Sequence, residues 1–143
     1  MTGTIDHAVV DVKLRDLAHR LRRVGEKKPA SARALASDAD LQDILARNLT
    51  LAIQVSIDIA FHVCAARGVL PATAAEAFVQ LAGLGLIPQP LAERLVLAVG
   101  FRNILIHEYA EVDWKIVMRV IRSGTGDLAA FGKAMVALLD ADD

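Results

Sequence analysis

The run from Leu49 to Cys64 is apolar on almost every side of a helix, and three polar residues, Gln54, Asp58 and His62, interrupt it. A helix that is apolar all round cannot lie against water. Other helices have to cover it on one side, and a second copy of the chain is the natural cover for the other. The three polar residues are each four apart and share one face. They read either as a polar seam that satisfies itself or lines solvent, or as part of a site. The sequence has no sustained strand alternation, no Asn-Gly hairpin signal, no internal repeat and no low-complexity block. With 143 residues, 55% hydrophobic and only 4% aromatic, the core has to be built from Leu, Ile, Val and Ala. These features predict an all-α, up-and-down bundle of four to five helices in a single domain over residues 1–143, with apolar surface to spare for an oligomer interface.

From Thr4 to about Gly25, Val10, Leu14, Leu17, Leu21 and Val24 recur at spacings of three and four, which predicts an amphipathic helix. Gly25 to Ala36 reads as a connection with one short helical piece. Ser37, three residues before Asp40, is the expected cap of the long helix, which runs to about Arg67 and is stopped by Gly68 and Pro71. Thr73 and Glu76 have capping-box spacing at the head of a short helix closed by Gly83 and Gly85. Pro90 opens the next helix. Gly100 lies inside it at a cost of about 1 kcal/mol relative to alanine, which points to close backbone packing. Asp113 is the expected cap of a last helix that Ser123 to Gly126 should kink or split, and the acidic tail Asp140 to Asp143 should fray.

A net charge of −1 argues against a globally basic nucleic-acid binder, but half of the sixteen Lys and Arg lie between Lys13 and Arg33. That region reads equally as a solvated face or as a surface for RNA phosphates or a protein partner. Met1 to Asp11 carries no basic segment leading into an apolar run, and no uncharged stretch approaches the roughly 20 residues that span a bilayer. The expectation is a cytoplasmic protein without membrane contact. The single cysteine, Cys64, excludes an internal disulfide and reads as a small buried hydrophobe.

Phe101 to Tyr109 sets Arg102, Asn103, His107 and Tyr109 inside a segment that otherwise reads as helix core. On an ideal helix Asn103 and His107 share a face, Arg102 and Tyr109 nearly eclipse, and Arg102 and His107 stand about 140° apart. One copy therefore makes a loose site, which two copies could close across a symmetric interface. The chemistry suits phosphoryl transfer within RNA. Histidine moves protons near neutral pH, an arginine fork holds a phosphate, and the neighbouring Asn103 can orient either. Arg-x4-His is a weak pattern by itself, and a histidine satisfied at a core edge is the competing reading. Metal binding finds little support, since only Glu111 stands at ligand spacing from His107. Asp58, an expensive acid in an apolar run, is expected to pair with Arg102 or orient His107.

Arg102-Asn103-x3-His107-x-Tyr109 resembles the signature of the HEPN superfamily, specifically the HepT-like toxins paired with minimal nucleotidyltransferase antitoxins. Arg47-Asn48-Leu49 through Asp58-Ile59-Ala60 and His62 is similar to the central helix of that family, and Gly85-Leu86-Ile87-Pro88 and Val99-Gly100-Phe101 to its middle section. The resemblance covers roughly Leu41 to Phe131. Gly124 and Gly126 depart from the usual unbroken last helix.

The resemblance implies a HEPN-like fold and a homodimeric endoribonuclease of a type VII-like toxin–antitoxin pair, working without metal or other cofactor. Arg102 and His107 would be the catalytic pair, Asn103 their support, and RNA the substrate. The cognate nucleotidyltransferase would be the partner, in a hetero-oligomer of unspecified size, and would silence the toxin by placing AMP on Tyr109 beside Arg102. The alternative is a non-catalytic nucleotide- or substrate-binding subunit of a nucleotidyltransferase complex, and a third is a structural bundle with no site.

Overall fold

The computed structural model describes residues 3–142, and among them all regular structure is helical. The first helix, α1, spans His7–Glu26; it starts at His7 rather than at Thr4 because Asp6 caps it, accepting a hydrogen bond from the Val9 amide. The short α2 is Ala32–Ala36, capped by Ser31. The long α3 is Ala39–Ala66, and here Asp38, not Ser37, is the cap. The Asp38 carboxylate takes the Leu41 amide at 3.0 Å, while the Ser37 hydroxyl is spent on the Arg33 carbonyl in the last turn of α2.

Helix α4 covers Ala74–Gly83, with Thr73 accepting from the Glu76 amide as expected, although Glu76 reaches back to the Ala72 amide. Helices α3 and α4 end in the same way. Gly68 (φ 78°) and Gly85 (φ 74°) take the left-handed conformation, and the amides of Val69 and Leu86 return to the carbonyls of Cys64 and Leu81 at 2.9 Å each. Helix α5 runs Gln89–His107, with Pro90 as its second residue. A 3-10 turn, Tyr109–Glu111, leads to α6 at Trp114–Arg119, capped by Asp113. At the expected interruption the helix does not split but passes through a π-helical turn at Val120–Gly124 into α7 at Thr125–Ala141. The last expected helix is therefore one continuous element made of α6, the π turn and α7.

Helix α3 sits at the centre, packed by α1, α2, α4, α5 and α7. It is long and apolar enough to cross a membrane, yet 61% of its apolar window is buried inside the bundle, as a core helix requires. Leu49, Ile53, Ile59 and Val63 of α3 meet Leu17 of α1, Leu81 of α4, Leu95 of α5 and Leu128 of α7 in one core, and Phe78 meets Phe131 edge to face at 5.5 Å. Cys64 is buried there and donates to the Ala77 carbonyl; burial pushes its thiol pKa up. Two expectations fail. A Cβ on Gly100 would meet nothing within 4 Å, so among the described residues no neighbouring element packs close to it. The described part of the tail is also held in place: α7 includes Asp140, and the Asp142 carboxylate lies 3.4 Å from His7 and 3.9 Å from Arg67. Asp143 falls outside the described residues.

Candidate active site at the end of helix α5

Arg102 and His107 both lie within α5, so the separation of about 140° between them stands as a property of the helix. The guanidinium of Arg102 is fixed from two sides. Its Nε and Nη2 donate to Asn103 Oδ1 at 3.2 and 2.8 Å, and its Nη1 donates to Gln54 Oε1 on α3. Asn103 thus orients the arginine rather than the histidine. His107, the last residue of α5, is exposed, and its side chain makes no hydrogen bond or ion pair among the described residues. It is free to meet a ligand, whereas a histidine satisfied at a core edge would show a partner.

Asp58 does not pair with Arg102 or touch His107. Its Oδ1 accepts from Gln54 Nε2 at 3.2 Å and its Oδ2 lies 3.9 Å from Lys13 Nζ. Arg102 meets α3 at the level of Gln54, and Asp58 stands one turn, about 6 Å, farther along. Asp58 therefore acts on Arg102 only through Gln54, whose amide it holds oxygen-first toward the guanidinium. Gln54 is the residue that the sequence reading undervalued; its spacing of four from Asp58 was the available signal. His62, the third member of the seam, accepts from the Asp6 amide at 3.2 Å and ties the start of α1 to α3. The seam satisfies itself, and one end of it also serves the site.

Tyr109 stands elsewhere than the ideal helix would put it. The helix stops at His107, Glu108 leaves helical geometry at φ −132°, and Tyr109 opens the 3-10 turn instead of eclipsing Arg102. Its hydroxyl donates to Asp43 Oδ1 on α3 at 2.8 Å, and its ring meets Trp114 edge to face at 5.8 Å. Burial, the hydrogen bond to Asp43 and the negative charge of Asp43 together push the Tyr109 phenol up to about 12. The tyrosine borders a cavity of about 270 Å³, also lined by Asp43, Arg47, Thr50 and Leu105. Asp43 lies 66 residues from Tyr109, and no sequence signal pointed to it.

The basic region from Lys13 to Arg33 is partly neutralised within the fold. Arg15, Arg20 and Arg23 pair with Asp11, Asp16 and Glu26, and Lys13 approaches Asp58. Among the described residues no group of three or more His, Cys, Asp or Glu is gathered as a metal site.

The sequence pattern of the family described as ribonuclease HepT-like matches residues 14–135. The chain belongs to the HepT-like ribonuclease family. RNA cleavage is the activity class of that family. The mRNA nuclease HepT of Shewanella oneidensis is 36% identical over 95 residues, which cover 66% of this chain and 71% of that protein. The tri-AMPylated HEPN toxin of Shewanella oneidensis, solved in complex with its MNT antitoxin, superposes with a TM-score of 0.84 at 28% identity, over 90% of this chain and 97% of that one. A toxin–antitoxin complex solved with AMP-PNP gives a TM-score of 0.81 at 28% identity, over 88% and 96%. The HepT-like bundle accounts for the helical fold around the central α3.

Proposed function

We propose that this chain is the toxin of a toxin–antitoxin pair, an endoribonuclease that cleaves RNA with Arg102 and His107 and is silenced by AMP placed on Tyr109. The observation that carries the reading is the contrast at the end of α5. Arg102 is held rigidly by Asn103 and Gln54, and His107 five residues on is exposed and unengaged. A fixed guanidinium holds the scissile phosphate and stabilises charge growing on its oxygens. An exposed, unengaged imidazole takes the proton from the ribose 2′-OH or returns one to the leaving oxygen. Attack of the 2′ oxygen on phosphorus with loss of the 5′ oxygen leaves a 2′,3′-cyclic phosphate. No step calls on a metal or other cofactor.

The two groups diverge around α5, so one copy does not close on a phosphate. The exposed stripe beside them supplies the closure. Leu97 is 73% exposed, Ile104 is 44% exposed, and Gly100 between them presents bare backbone. A homodimer that buries this stripe sets two copies of the motif face to face, and gives Gly100 the close approach that the single chain lacks. The MNT antitoxin of the solved toxin supports a minimal nucleotidyltransferase as the partner, and its tri-AMPylated state supports AMP as the modification. A cytoplasmic location fits an RNA substrate.

The test has two arms. The purified chain should cut RNA to cyclic-phosphate ends, and its expression without the partner should arrest growth. After incubation with the partner and ATP, intact mass should rise by AMP in wild type and not in Tyr109→Phe. RNA left intact by wild type, with His107→Ala changing only the affinity for the partner, would replace the nuclease with a non-catalytic subunit.

A further inference from the structure

Helix α3 shows an ion pair that does not form. On α1, acid and arginine four residues apart join as Asp11–Arg15 and Asp16–Arg20. Asp43 and Arg47 have the same kind of spacing on α3, yet Asp43 turns to the Tyr109 hydroxyl, and Arg47 stands exposed with no ion pair among the described residues. Both border the open cavity of about 270 Å³ that Tyr109 also lines, with Thr50 as a further polar group and Ala46 and Leu105 as apolar wall. That volume is close to the lower end of small-ligand pockets, roughly 300 Å³. A nucleophile, a base in contact with it and an unpaired cation on one rim form the set that a nucleotidyl-transfer acceptor needs.

We infer that the toxin supplies part of the machinery for its own modification: Asp43 takes the phenolic proton of Tyr109, and Arg47 receives the phosphate of the incoming nucleotidyl group. The inference rests on the reading of Tyr109 as the modified residue. In the transfer, the Tyr109 oxygen attacks the α-phosphorus of a nucleoside triphosphate held by the nucleotidyltransferase. The new bond is tyrosyl oxygen to α-phosphorus, and the bond from α-phosphorus to the bridging oxygen of the β-phosphate breaks. Pyrophosphate leaves with the electron pair, and the proton passes to Asp43 Oδ1 and on to solvent. A phenol that holds its proton as tightly as Tyr109 does reacts only as that proton departs, and Asp43 at 2.8 Å is its hydrogen-bond acceptor. The product phosphodiester then carries its negative charge beside Arg47. Arg102, engaged with Gln54 and Asn103, does not have to be recruited.

The experiment measures the rate of AMP transfer from ATP labelled at the α-phosphate, with the nucleotidyltransferase and the full chain, by intact mass and peptide mapping. Asp43→Asn keeps the shape and removes the base; transfer to Tyr109 should fall about 100-fold, the low end of general-base effects. Asp43→Glu, which keeps a carboxylate, should recover part of the rate. Arg47→Gln should slow transfer about tenfold. Unfolding midpoints of all three, compared with wild type, separate a chemical loss from a folding loss. Wild-type modification at Tyr109 with Asp43→Asn within threefold overturns the inference and leaves the modification reading standing. An Arg47→Gln rate equal to wild type removes Arg47. No AMP on wild type, or AMP on another residue, overturns the modification reading itself.

Discussion

Arg102 on α5 donates through Nη1 to Gln54 Oε1 on α3, a contact across 48 residues of sequence. It joins the functional end of α5 to the core helix, and Asp58 sets its polarity by accepting from Gln54 Nε2. The site is therefore anchored to the best-packed element of the fold, and its arginine is oriented before any ligand arrives.

Gln54→Leu keeps the volume and removes that anchor. RNA cleavage should fall about tenfold in kcat/KM, the size of losing roughly 1.5 kcal/mol of charge-assisted hydrogen bonding. Steady-state kinetics on a fluorogenic RNA reads this out. Unchanged kcat and KM would show that Asn103 alone suffices to hold Arg102.

His107→Ala should lower cleavage about 100-fold or more. The side chain is exposed and makes no bond, so the unfolding midpoint should stay at the wild-type value. A parallel loss of stability would assign His107 a structural role instead.

Leu97→Asp places a charge on the most exposed residue of the α5 stripe. Light scattering should show a monomer in place of the dimer, and cleavage should fall with it, because one copy leaves Arg102 and His107 apart. A Leu97→Asp dimer with full activity would move the interface elsewhere.

Tyr109 is the only tyrosine in the chain, so absorbance near 295 nm titrates it alone. The folded protein should show a midpoint near 12, and Asp43→Asn should bring it down, since that change removes the negative charge facing the phenolate. The sign for stability follows from the raised folded value. The contribution of Tyr109 is fully present below its unfolded value near 10 and is lost as pH rises toward about 12. Chemical denaturation at pH 9 and pH 11 should show the decline.

Phe131→Ala removes a fully buried ring packed edge-on against Phe78. It should cost about 3–5 kcal/mol in urea unfolding, while Phe78→Leu, which fills more of the space, should cost less. Equal costs would indicate that the core around α7 collapses into the gap.

Much of the bundle was legible because its signals are local. The caps at Thr73 and Asp113, the glycine stops at Gly68 and Gly85 and the interruption near Gly124 each depend on residues within one or two turns. The misreadings were also local competitions. Ser37 and Asp38 both make good caps, and only the carbonyl of Arg33, presented by α2, drew Ser37 away. Gly100 pointed to a close neighbour that the single chain does not hold. The spacing of Arg102, Asn103 and His107 survived intact because all three lie on one helix.

By itself, the sequence determined the all-α class, the central place of α3 and the residues of the motif, since hydrophobic period and helix caps are short-range physics. Only the tertiary structure decided which group each polar side chain faces. It placed Gln54 rather than Asp58 against Arg102, and Tyr109 against Asp43 rather than above Arg102. Those choices depend on where α5 crosses α3 and on the turn at Glu108 that ends the helix. Crossing levels are fixed by packing across the whole bundle, and no periodicity along the chain encodes them; the stop of α5 at His107 carries no glycine or proline to announce it.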